Sequence, residues 1–126
     1  MNWLLVACGG AIGASLRYAA GFLLAKSQSL FPWATWTVNL VGCLLAGIFF
    51  AFTQRYPVLQ NETRLFLMVG ILGGFTTFSS FGLETFQLIR QEQIGTALVY
   101  AVSSMVLGMI ILSLGFYITN LCLTTK

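Results

Sequence analysis

Apolar residues run along this chain in four long stretches separated by short polar clusters. Crossing about 30 Å of hydrocarbon takes about 20 helical residues. The stretches reach that length at roughly residues 3–25, 33–52, 65–89 and 95–121. Between them lie Lys26-Ser27-Gln28-Ser29, the segment from Gln54 to Arg64 with Pro57, Asn61 and Glu62, and Arg90-Gln91-Glu92-Gln93. Pro32 stands where proline is tolerated, at a helix start. None of these connections has the length of a domain. The pattern therefore predicts a single all-α transmembrane domain over residues 1–126, with four spanning helices and no soluble part. Trp3, Trp33, Trp36 and Tyr56 fall near the expected membrane surfaces, as an aromatic belt does.

The third stretch departs from a plain lipid-facing helix. At its middle it reads Gly70-Ile71-Leu72-Gly73-Gly74-Phe75-Thr76-Thr77-Phe78-Ser79-Ser80-Phe81-Gly82. Paired glycines and a run of hydroxyls weaken a helix. The expectation is a helix broken at mid-membrane, its first half ending near Gly73; the alternative is an unbroken helix whose glycines only allow close packing. A break frees backbone groups that protein, water or an ion must satisfy. Carbonyls at the end of the first half suit a cation, and Thr76 or Thr77 is placed to cap the second half. Small residues at four-residue spacing (Gly9 and Gly13, Gly42 and Ala46, Gly70 and Gly74) point to compact helix packing.

Composition supports the membrane reading. The chain is 58% hydrophobic and 7% charged, whereas soluble domains carry roughly 25% charge. So few charges do not cover a small protein's surface in water. The apolar first stretch has no basic residue before Arg17 and reads as a retained helix rather than a cleaved leader. The three cysteines, Cys8, Cys43 and Cys122, lie in apolar surroundings without ligand spacing, and there is no histidine. No catalytic constellation, basic stripe for nucleic acid or nucleotide-binding loop is present, so an enzyme is not expected.

The distribution of basic residues matters more than their number. On the side of the N-terminus, second connection and C-terminus stand Arg55, Arg64 and Lys126. The other side has Lys26 and Arg90, with Arg17 nearest to it inside the first span. Three against three leaves almost no cytoplasmic excess to orient the chain. Insertion in both directions, and hence an antiparallel dimer, follows; a residual bias toward one direction is the alternative.

Polar residues inside the spans are the candidate functional groups. Phe75, Phe78 and Phe81 recur every third residue. Their electropositive ring edges suit a small anion, and ordinary core or lipid contact is the competing role. Arg17 stabilises an anion in a vestibule, caps carbonyls or pairs with Glu84, the acid inside a span. The Asn39 amide donates to an anion or ties helices together. Tyr100 and Ser104 share a helix face, as a polar track or as interhelical hydrogen bonds.

Three segments, Gly9-Gly10-Ala11-Ile12-Gly13-Ala14-Ser15-Leu16-Arg17-Tyr18, Asn39-Leu40-Val41-Gly42 and Gly73-Gly74-Phe75-Thr76-Thr77-Phe78-Ser79-Ser80-Phe81, together with the layout, resemble the CrcB or Fluc family of small fluoride channels. The resemblance covers essentially the whole chain. Ser80 stands where the family often has threonine, which keeps the hydroxyl. The resemblance implies a dual-topology antiparallel homodimer in the cell inner membrane with two fluoride pores, exporting fluoride passively down its electrochemical gradient. It implies pore roles for Asn39, Phe78, Phe81, Tyr100 and Ser104, a vestibule role for Arg17, and a structural sodium ion (Na+) at the dimer interface on the backbone carbonyls of Gly73 and Thr76. A small multidrug-type exporter of organic cations is the second reading, with Glu84 as its sole candidate membrane carboxylate; a helper subunit is the third.

Overall fold

A computed structural model describes residues 1–25 and 29–125. Lys26, Ser27, Gln28 and Lys126, which carry the first polar turn and part of the loop-charge reading, lie outside the described residues.

Among the described residues, four helical runs are long and apolar enough to cross a membrane: Asn2–Leu24, Trp33–Arg55, Glu62–Arg90 and Ile94–Thr124. We label the first two α1 and α2. The third consists of α3 (residues 62–75) and α4 (Phe78–Arg90), and the fourth is α5 (Ile94–Thr124). A short 3₁₀ turn, Pro57–Gln60, joins α2 to α3. There Gln60 Nε2 donates to the Thr53 carbonyl at 3.0 Å and folds the connection back on the end of α2.

The third run is interrupted at Thr76 and Thr77, both extended, with φ/ψ of −81°/155° and −149°/119°. The interruption agrees with the glycine and hydroxyl pattern, but its place differs from the expected end near Gly73. Gly73–Phe75 is still helical. Tertiary packing outweighs glycine's poor propensity here, because Gly74 lies against the backbone of Gly10 and Ala14 on α1. The second half starts with a cap: Thr77 Oγ1 accepts from the Ser80 N–H at 3.1 Å. Within α3, Leu65–Leu72 is wound as a π-helix, and no residue type in it signals that wider winding.

α1 packs chiefly on α3, and α2 on α5. Each pair is joined where a glycine lets two backbones meet. A side chain at Gly13 would run into the Ile71 carbonyl, and one at Gly47 into the Leu112 carbonyl. The interhelical approach in this bundle is therefore backbone to backbone, as small-residue spacing in membrane helices allows.

Candidate functional site

The site forms where α2 and α5 meet the interruption between α3 and α4. Breaking a helix in an apolar surround leaves peptide groups that must find partners, and side chains from two other helices supply them. From α2, Asn39 Nδ2 donates to the Thr77 carbonyl at 3.0 Å, and Asn39 Oδ1 accepts from the Thr77 N–H at 2.9 Å. From α1, Arg17 Nε donates to the Gly74 carbonyl at 3.1 Å. The Leu72 carbonyl accepts from both the N–H and the hydroxyl of Thr76, each at 2.9 Å.

A second polar knot lies on α4. The two carboxyl oxygens of Glu84 accept from the Thr35 hydroxyl and the Tyr100 hydroxyl, both at 2.7 Å. Arg17 and Glu84 are thus engaged separately, and the sequence alternative in which they pair is not what the structure holds. Tyr100 is completely buried. Its ring meets Phe81 with centroids 5.1 Å apart and Phe31 at 5.5 Å.

Four of the expected pore residues share one open-sided cavity of 420 Å³: Asn39, Phe78, Phe81 and Ser104. Gly73 and Thr76 also line it. Phe78 is 83% exposed in the single chain, with its ring centroid 5.7 Å from that of Phe81. The interruption separates both rings from Phe75, so the three phenylalanines do not form one continuous helical stripe. Ser104 Oγ is buried and has no hydrogen-bond partner among the described residues. Tyr100 stands behind Phe81 instead of on the cavity wall, and Arg17 faces a separate recess of 90 Å³ with Thr35, Thr77 and Ser80.

This arrangement has donors to spare. An amide nitrogen carries two N–H groups, and Asn39 has one committed to Thr77. The Ser104 hydroxyl is uncommitted, and phenylalanine edges add positive potential without a full charge. Donors of this kind suit a small anion. They suit a cation much less.

A family model described as CrcB-like protein, Camphor Resistance (CrcB), matches residues 4–116. The chain belongs to the CrcB-like family. Members of known description are similar over nearly their full length. A fluoride-specific ion channel FluC of Novosphingobium aromaticivorans is 47% identical over 116 residues, covering 90% of this chain and 91% of the relative. One from a strain of Thermus thermophilus is 46% identical, covering 91% and 92%. That of Methylobacillus flagellatus is 42% identical over 120 residues, covering 94% of each. This CrcB-like chain is a multi-pass membrane protein.

The expected sodium ion on the Gly73 and Thr76 carbonyls is overturned. Among the described residues, no three His, Cys, Asp or Glu side chains gather where a metal could be held. Beside the two expected ligands, the Leu72, Gly74 and Thr77 carbonyls accept from the chain's own Thr76, Arg17 and Asn39. One of those donors is a guanidinium, of the same sign as the ion. Gly73 and Thr76 remain as cavity-lining residues.

Two contributors escaped the sequence reading. Thr35 lies one turn before Asn39, at the four-residue spacing that puts both on one face of α2, and that spacing was the signal. Trp36 was placed in the surface belt. It also has a role inside the bundle, half-buried with its indole Nε1 donating to Ser103 Oγ at 3.0 Å.

Proposed function

We propose that this CrcB-like chain is a fluoride-selective channel that lets fluoride leave the cytoplasm down its electrochemical gradient, and that it works as a pair of oppositely inserted copies. The observation that carries the reading is the similarity, over nine-tenths of the chain, to relatives described as fluoride-specific ion channels. The geometry supports it. The free N–H of Asn39, the Ser104 hydroxyl and the edges of Phe78 and Phe81 surround one cavity, and Tyr100 backs that wall through Phe81. Such contacts replace hydration while holding the ion weakly enough to release it. Arg17, beside the interruption, supplies positive potential in the adjoining recess.

The second copy follows from what one chain leaves open. The cavity is open on one side, and an aromatic ring placed at a membrane-depth break is left largely uncovered. A second, antiparallel copy supplies the missing wall, and the balanced basic residues permit it. The similarity offers nothing toward an organic-cation exporter, and Glu84, the carboxylate that exporter needs, is engaged by two hydroxyls.

Fluoride and chloride efflux from liposomes containing the purified protein tests the channel reading. Rapid fluoride efflux with little chloride efflux is expected; no selective fluoride efflux overturns it. For the antiparallel pair, a reporter on the C-terminus is scored in both compartments. Signal from one compartment only overturns dual insertion and leaves the channel reading standing.

A further inference from the structure

Trp36 lies on α2 between Thr35 and Asn39, and Ser103 lies on α5 between Tyr100 and Ser104. The indole N–H of Trp36 donates to Ser103 Oγ at 3.0 Å. Ser103 Oγ in turn donates to the Tyr100 carbonyl at 3.3 Å. Among the described residues this is the only side-chain hydrogen bond that joins α2 to α5. The rest of that contact is apolar packing eased by glycines, with Gly47 against the Leu112 carbonyl and Gly115 against Leu44. Close approach at those glycines sets the separation of the two helices, and this hydrogen bond is the polar contact that singles out one offset between them.

Register matters here more than elsewhere. α2 presents Thr35 and Asn39 to the α3–α4 interruption and to Glu84, and α5 presents Tyr100 to the same glutamate. A slip of one residue displaces a helix by about 1.5 Å and turns its side chains by about 100°. Hydrogen bonds of 2.7 Å at Glu84 do not survive that. The indole also has aromatic support that limits its own freedom: Trp33 meets it edge-on at 5.6 Å and Phe31 at 5.9 Å. Phe31 then meets Tyr100 edge-on at 5.5 Å.

We propose that the Trp36–Ser103 hydrogen bond is the register pin between α2 and α5, and that Trp36 is thereby a positioning residue for the Ser104 hydroxyl on the cavity wall and for the Tyr100 hydroxyl behind it. The proposal rests on the channel reading above. Trp36 touches no ion. It holds the two walls of the cavity at the offset at which their polar groups converge, and Ser103, committed on both sides, is a joint and not part of the polar track.

Fluoride efflux per reconstituted protein, in liposomes loaded with equal amounts of monodisperse protein, tests it. Trp36→Phe keeps the ring and removes the donor; Ser103→Ala removes the acceptor from the other side. Each is expected to lower the efflux rate about fivefold. The double variant is expected to be no slower than either single one, because both remove one bond. Ser103→Thr keeps the accepting oxygen and is expected to conduct near the wild-type rate. Unchanged rates in both single variants, or losses that multiply in the double variant, overturn the pin. So does a Ser103→Thr rate as low as that of Ser103→Ala. Should Trp36→Phe fail to fold, the Ser103→Ala and Ser103→Thr pair decides alone. Absence of fluoride efflux from the wild-type protein overturns the channel reading itself and is recognised in the first sample.

Discussion

The side-chain amide of Asn39 pairs with both the N–H and the C=O of Thr77, at 2.9 and 3.0 Å, as a neighbouring strand would pair with it. Asn39→Asp keeps the accepting oxygen and deletes the donor. It strands the Thr77 carbonyl and sets a carboxyl group on the cavity wall. A buried acceptor left unpaired costs about 1–3 kcal/mol, so the protein is expected to lose assembly at a lower temperature. Fluoride efflux is expected to fall at least about tenfold. Heat-step gel filtration and liposome efflux check the two halves of this expectation separately.

Phe78 and Phe81 differ in what else they do. Phe78 is largely exposed in one chain, while Phe81 packs on Tyr100. Phe78→Ile is expected to leave folding unchanged and to cut fluoride efflux about two- to tenfold, since bulk is kept and the ring edge is lost. Phe81→Ile is expected to lower both efflux and thermal stability. Equal efflux from wild type and Phe78→Ile would return that ring to packing.

Glu84 accepts two hydroxyls with two oxygens. Glutamine has one acceptor oxygen, so Glu84→Gln leaves Thr35 or Tyr100 without its acceptor. The expected loss is about 1–3 kcal/mol, read as a lower melting temperature. Restoring the balance with Glu84→Gln plus Thr35→Val should recover part of it.

Gly10 and Gly13 are one turn apart on α1 and have opposite surroundings. A β-carbon at Gly13 runs into the Ile71 carbonyl, whereas nothing lies within 4 Å of one at Gly10. Gly13→Ala is expected to destabilise by about 1–3 kcal/mol through overpacking. Gly10→Ala is expected to be neutral or to stabilise by up to about 1 kcal/mol through helix propensity. Thermal unfolding of the two variants side by side measures the contrast.

The four spans were legible because apolar length and polar punctuation are enough to define them, and the interruption was legible because paired glycines followed by a run of hydroxyls weaken a helix. A threonine cap was legible as Thr76 or Thr77, and the structure selects Thr77. What the sequence left unread depends on contacts between distant residues. Gly73–Phe75 stays helical because α1 presses on it, which a local propensity does not register. For Arg17 the sequence left an anion, carbonyls and Glu84 open as partners, and only the fold selects the Gly74 carbonyl while two hydroxyls occupy Glu84. Trp36 fitted the aromatic belt by position, and only its donor bond to Ser103 draws it inward. The sodium expectation placed an ion among the carbonyls of a break, whereas among the described residues no metal-holding cluster gathers and the freed Gly74 carbonyl is claimed by Arg17, a group of the ion's own sign.

The two glycine-cemented pairs, α1 with α3 and α2 with α5, have a mechanical meaning. Where backbone meets backbone, no side chain lies between to change rotamer, so the two helices of a pair move together or not at all. α1 touches α2 far less than it touches α3. The packing divides the bundle into two plates meeting along a seam, and the paired hydrogen bonds of Asn39 to Thr77 are the stitches of that seam. Any motion that admits or expels an ion has the least resistance there, as a small shear between plates whose own interiors stay unchanged.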